Sequence, residues 1–187
     1  IRTGKISIKG ENGEIQDYIP VSSGDQIILK KGMDAAQLPM YDENNRLIKP
    51  ATLGVTLDQI IIDLKEKDIV YFDDGLFKAK VTKKEIDHVE LDIEKAYKRK
   101  LKSCKGINLP NTKLNLPALT ESDLEVLPFV LKHADIVGYS FLRSPDDVKV
   151  LYREIYNLES AHDKDMGVVF KIENKEAFEN LPLILME

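Results

Sequence analysis

The sequence is poor in several of the features that would settle a function at once. It has a single cysteine, Cys104, so no internal disulfide can form, and a reducing compartment fits. No apolar run approaches the ~18 residues of a membrane-spanning helix, and no secretory leader pattern is visible. The net charge of −5 gives no global reason to expect nucleic acid as a partner. No P-loop, dinucleotide-binding fingerprint or nucleophile elbow is present. The three histidines, His88, His133 and His162, show no metal-ligand spacing and receive no role. What the chain does have is 187 residues, 43% of them hydrophobic, enough for one large or two small domains with real cores. It starts at Ile1 and stops inside an apolar pattern at Leu181 to Glu187. Both ends read as cut, so a piece of a longer protein is expected.

The pattern changes near residue 105. Before it, short strands dominate. Lys5 to Lys9 alternates with period two, Gln26 to Leu29 follows a turn signal, and Ile69 to Phe72 is a β-branched and aromatic run stopped by Asp73-Asp74-Gly75. Leu76 to Thr82 and Ile86 to Ile93 predict a hairpin turning at Lys83-Lys84-Glu85. Thr56 and Gln59 form a capping-box pattern for one short helix, and residues 32–50 read as a long loop. Short strands with turns suggest a small β-barrel or sandwich.

After residue 105, helix and strand alternate. Thr120 and Asp123 form a capping box ahead of Leu124, Leu127 and Leu131, with Pro128 inside the helix and expected to kink it. A strand follows from Asp135 to Phe141. Ser144 and Pro145 then open a helix with the apolar face Val148, Leu151, Ile155 and Leu158. A second strand runs from Met166 toward Lys171 and Glu173, and Asn174 can cap a last helix. This order is that of parallel βα units. Two such strands cannot close a barrel, which takes about eight, so the pattern fits a small open sheet or an arc of a larger barrel.

Lys171 and Glu173 carry the sharpest chemical signal. Residues i and i+2 share a strand face, so a cation and an anion emerge together where the strand ends. Ligands of parallel α/β proteins bind at that end. A lysine there can stabilise charge on a transferring oxygen, and a carboxylate can hold Mg²⁺. The plain alternative is an ion pair that satisfies itself. Asp73-Asp74-Gly75 reads most simply as a turn. The basic stretch from Lys98 to Lys105 reads as a solvated connector or a phosphate-attracting hinge.

Four stretches taken together resemble pyruvate kinase: "IRTG" at 1–4, "YFDDGLF" at 71–77, "KGINLPNTKLNLPALTESDL" at 105–124, and "SFLRSPDDV" at 140–148 followed by "FKIEN" at 170–174. Their order and spacing match along nearly the whole chain. The second half is the more specific, and the first half looks like a divergent bacterial or plant-like branch. The resemblance implies α/β plus all-β architecture: a small β-barrel lid domain over 1–104, then an incomplete arc of a (β/α)₈ TIM barrel over 105–187.

The resemblance also implies roles. Lys171 would be catalytic, stabilising the phosphoryl group in flight from phosphoenolpyruvate to ADP, and Glu173 would ligate Mg²⁺ (or Mn²⁺). Arg2 and Lys105 would hold nucleotide phosphates, Asp73 and Asp74 would face the site from the lid, and Ser140 would lie near the substrate. K⁺ would have its ligands outside this chain. The products would be pyruvate and ATP, in glycolysis and in the cytoplasm, with no membrane or nucleic-acid partner and with a homo-oligomeric parent left open. Cys104 stands where many relatives have a second lysine, and Asn111 replaces a glycine. The second metal carboxylate and the substrate arginine would lie outside the chain, so the piece alone is expected to be inactive. Two alternatives stay open: a degenerate nucleotide-binding regulatory module, and a metal-dependent pyruvate aldolase-type barrel.

Overall fold

Val70 and Phe72, then Phe77, Ala79 and Val81, then Val89, Leu91 and Ile93 recur at every second position, and all are buried. Strands put alternate side chains on one face, so this spacing builds three consecutive strands, Ile69–Phe72, Phe77–Lys84 and His88–Ala96, around a common core. The structure is a computed structural model that describes residues 1–9, 14–159 and 166–187. His162 lies outside the described residues. The chain forms two units, Ile1–Asn115 and Leu116–Glu187.

In the first unit the three strands belong to a six-stranded mixed sheet, ordered Ile107–Asn108, Ile69–Phe72, Phe77–Lys84, His88–Ala96, Gln26–Lys30, Ala51–Gly54. Neighbours are antiparallel except Gln26–Lys30 and Ala51–Gly54, which run parallel. Ile27, Leu29 and Leu53 complete the buried face. Asp73, Asp74 and Gly75 turn the chain with φ of 52°, 55° and 87°. Aspartate and glycine are among the residues that tolerate this left-handed region.

Gly4 and Gly54 lie where backbones meet. A Cβ on Gly4 would stand 2.2 Å from the Met33 carbonyl oxygen, and one on Gly54 would stand 2.1 Å from that of Gly32. The Gly4 amide donates to the Gly54 carbonyl at 2.8 Å. Only glycine fits this approach.

Several local expectations change. The first strand is shorter, Ile8–Lys9, and pairs with Ile15–Gln16. Residues 32–50 hold a small hairpin, Met40–Tyr41 against Leu47–Lys49. The long hairpin turns at 85–87, where the Glu85 amide donates to the His88 carbonyl. Thr56 does not cap the short helix, which runs Gln59–Asp63 with Asp58 as its N-cap. The Thr56 hydroxyl instead donates to the Arg2 carbonyl at 3.1 Å and accepts from the Arg2 amide at 3.2 Å.

The first unit extends to Asn115, whereas the sequence pattern changes after Cys104. Ile107–Asn108 joins the sheet edge beside Tyr71 and Phe72. The Thr112 hydroxyl donates to Asp68 at 2.8 Å, and the Asn115 amide to Asp63 at 2.7 Å.

The second unit follows the expected order. The helix Glu121–His133 opens with a complete capping box between Thr120 and Asp123 and contains Pro128. The strands Ile136–Tyr139 and Gly167–Phe170 pair in parallel, with Tyr139 beside Phe170. Both are shorter than the apolar runs that contain them. The helix Pro145–Glu159 lies between them in sequence, and Lys175–Glu179 and Leu181–Ile184 follow. Leu119, Leu127, Leu131, Leu151 and Ile155 form one core, and Leu142, Val148, Ala177 and Ile184 another, with Tyr139 and Phe170 packed on both.

The Gly167–Phe170 strand is not the buried strand its composition suggests. Val168 and Phe170 pack on the helices, while Ile136 is 63% and Val169 52% exposed on the opposite face. The helix layer covers one side of the strand pair and leaves the other open. Among the described residues no helix is long and apolar enough to cross a membrane.

Candidate functional site

Because the two strands of the second unit are parallel, their C-terminal ends lie side by side at Tyr139 and Phe170. The Lys171 amide donates to the Tyr139 carbonyl at 2.9 Å, which carries the ladder one residue further. Lys171 therefore shares its register with Val169, on the open face.

Three polar side chains meet there. Lys171 Nζ lies 2.7 Å from Glu173 Oε1 and donates to Ser140 Oγ at 3.0 Å. Glu173 Oε2 accepts from the Phe141 amide at 3.3 Å. The Lys171 hydrogen bond holds the Glu173 carboxyl below the usual carboxylate range against an opposing effect of burial, with help from the Lys171 charge, the Phe141 amide and Ser140. The lysine side chain remains 49% and the glutamate 31% exposed, so the pair stays open to a ligand.

The chain around these groups is tied in place. Asn174 Oδ1 accepts from the Ala177 amide at 2.8 Å as the cap of Lys175–Glu179, and its Nδ2 donates to the Leu142 carbonyl at 2.8 Å. Asn180 Nδ2 donates to the Arg143 carbonyl at 2.9 Å. Arg143 donates to the Leu116 carbonyl at 2.6 Å, and its amide donates to the buried Asp147 carboxylate at 2.8 Å. The segments that leave the two strands are thus bonded to each other on both sides of the lysine–glutamate pair.

A second group gathers in the first unit. Lys105 Nζ lies 2.9 Å from Asp73 Oδ1, and the Asp73 side chain is 12% exposed. The Asp73 amide donates to the Gly106 carbonyl at 3.0 Å, and Arg2 bridges to Gly106. Thr3, fully buried, accepts from the Lys105 amide through its hydroxyl at 2.8 Å, and its amide donates to the Lys105 carbonyl at 2.7 Å. Asp74 is exposed with its carboxylate toward Gly106, and the Arg2 side chain is exposed. The predicted residues therefore fall into two sets, Ser140, Lys171 and Glu173 in one unit and Arg2, Asp73, Asp74 and Lys105 in the other.

Two participants escape sequence reading. Phe141 contributes a backbone amide from a left-handed conformation, φ 61°, that phenylalanine does not announce. Thr3 acts through a residue about a hundred positions away. His88 and His133, given no role, lie outside both sets: His88 Nδ1 is 2.7 Å from Asp87, and His133 packs on Phe129.

An ammonium, a hydroxyl and a carboxylate at adjoining strand ends can receive an oxyanion and a hard cation together. Glu173 suits Mg²⁺, which takes one or two protein carboxylates and completes its shell with water and substrate oxygens. Among the described residues no three His, Cys, Asp or Glu side chains gather to hold a metal by themselves. Glu173 could supply one such carboxylate ligand.

The chain matches the family model described as pyruvate kinase, barrel domain, over residues 6–187. It is 35% identical over 139 residues to the pyruvate kinases of Staphylococcus aureus strains USA300, NCTC 8325 / PS 47 and COL. Those matches cover 73% of this chain and 23% of each relative, so the chain spans about a quarter of their length.

Proposed function

This chain belongs to the pyruvate kinase family, and we propose from that premise that its residues serve phosphoryl transfer from phosphoenolpyruvate to ADP, giving pyruvate and ATP in cytoplasmic glycolysis. The reading rests on the Lys171–Glu173 pair, 2.7 Å apart just past the end of Gly167–Phe170, beside Ser140 at the end of the parallel neighbour. The first unit, Ile1–Asn115, then supplies the lid, with Ile107–Asn108 on its sheet edge, and Leu116–Glu187 an arc of the (β/α)₈ barrel. The open face bearing Ile136 and Val169 suits a barrel interior.

Phosphoryl transfer asks for positioning and charge neutralisation more than for covalent chemistry. Lys171 meets the charge on the phosphoryl oxygens as the bond to the enol oxygen breaks and the bond to ADP forms. Ser140 holds the ammonium in place. Glu173 would hold Mg²⁺, which would supply charge neutralisation at the phosphoryl oxygens. Arg2 and Lys105 receive nucleotide phosphates, with Asp73 and Asp74 beside them, and K⁺ has its ligands elsewhere. A lid excludes water, which competes as phosphoryl acceptor.

The test is Lys171→Met in the full-length protein. A contact realised in the transition state lowers kcat by ~10²–10³ when lost, with the KM for phosphoenolpyruvate little changed. Near-normal kcat makes Lys171 a structural ion-pair partner and removes the reading. Wild-type protein that binds ADP but forms no pyruvate is instead a nucleotide-binding module.

A further inference from the structure

We infer that Phe141 is a positioning residue for Glu173, a role that rests on the reading of Glu173 as a magnesium ligand. Glu173 Oε1 is held by Lys171 and Oε2 by the Phe141 amide. Two points fix the carboxylate plane, and the second exists only because the Phe141 backbone is left-handed, at φ 61°. A side chain with a Cβ resists this conformation, and phenylalanine has no short polar group to ease it.

The neighbours impose it. Leu142 is fully buried, and the carbonyls of Leu142 and Arg143 are bonded to Asn174 and Asn180. The chain between Ser140, bonded to Lys171, and this anchored pair bends at Phe141, and its amide donates to the carboxylate. Phe141 itself is 64% exposed. Phe141 thus acts through its backbone. Partners of metal ligands fix ligand orientation and are worth ~10–100-fold in metal affinity.

The experiment measures Mn²⁺ binding to the full-length protein without substrate, from the electron paramagnetic resonance signal of free ion. Phe141→Val, whose branched side chain disfavours the left-handed backbone, weakens Mn²⁺ binding ~10-fold. Phe141→Gly and Phe141→Asn keep the amide and tolerate the conformation, and stay within about twofold of wild type. Glu173→Gln is the reference.

If Glu173→Gln weakens binding and Phe141→Val does not, the positioning role is overturned while the metal reading stands. If Phe141→Gly and Phe141→Asn lose as much as Phe141→Val, the ring carries the effect and the inference is overturned. If Glu173→Gln changes nothing, the metal reading fails and the inference fails with it. Should Phe141→Val not fold by circular dichroism, Phe141→Ala, whose Cβ also resists the left-handed backbone, takes its place: weaker binding than Phe141→Gly supports the backbone role, and equal binding overturns it.

Discussion

Lys105 Nζ is held 2.9 Å from the Asp73 carboxylate, so the cation proposed to receive nucleotide phosphate has a carboxylate partner within its own unit. The pair joins the Asp73–Gly75 turn to the segment that follows Cys104. On the role proposed for Lys105, a phosphate competes with Asp73 for its ammonium, and Asp73 is then a brake on nucleotide affinity.

Asp73→Asn releases that brake. Asparagine accepts the φ of 52° at this position, so the turn survives. A partly exposed ion pair is worth ~0.2–1 kcal/mol, and its removal tightens ADP binding by about 1.4- to 5-fold on that scale. Calorimetric titration of ADP into the full-length variant measures it. Weaker binding instead places Asp73 among the nucleotide contacts.

Gly4→Ala breaks the first unit rather than the chemistry. The new methyl would stand 2.2 Å from the Met33 oxygen and 2.9 Å from its carbonyl carbon. Both are backbone atoms and cannot swing aside, and the bond from the Gly4 amide to Gly54 is lost if the strands part. Overpacking of this kind costs ~3 kcal/mol. A urea titration shows the midpoint falling with the slope unchanged; an unshifted midpoint means that the segments separate without cost.

The readable parts of this chain are those whose partners are close in sequence. Thr120 with Asp123 and Asn174 with Ala177 cap their helices as the spacing predicts, because an N-cap is settled within four residues. The pairing of Lys171 with Glu173 is legible for the same reason. Thr56 misleads because Gln59 mimics a capping box, while the true partner, Arg2, lies 54 positions away. The closeness of Gly4 to Met33 and of Asp73 to Lys105 is likewise set by folding alone. Apolar composition predicts burial of Gly167–Phe170, yet composition does not say that the helices lie on one side of the pair.

Tyr139 gives a handle on the alkaline stability of the second unit. Its hydroxyl donates to the Ala118 carbonyl. Burial pushes its pKa up from 10.0 to about 12, helped by the Asp147 charge. A folded-state pKa above the unfolded value favours the folded state fully below pH 10.0, and that contribution is lost as pH rises toward about 12. The unfolded chain ionises first in this window, so wild type loses stability there faster than Tyr139→Phe. Unfolding midpoints across the window, with tyrosinate absorbance alongside, check it. Parallel pH profiles for the two proteins would show that Tyr139 ionises freely when folded.

Asn174 separates the support of the site from the stability of a helix. Its oxygen caps Lys175–Glu179 and its nitrogen binds the Leu142 carbonyl, directly beside Phe141. Asn174→Ala loses both bonds, and the cap alone is worth ~0.5–2 kcal/mol. Asn174→Asp keeps an oxygen for the Ala177 amide, and its charge favours the helix N-terminus. It cannot donate to Leu142, so the segment that carries Ser140 and Phe141 loosens while the helix stays capped. The expected outcome is a split. Asn174→Ala lowers both the unfolding midpoint and the affinity for divalent metal. Asn174→Asp restores most of the midpoint but leaves metal affinity low. Urea unfolding and Mn²⁺ titration on the same preparations measure the two effects. If Asn174→Asp recovers both together, the Leu142 bond does not transmit to the Lys171–Glu173 pair, and the capping bond is the whole contribution of Asn174.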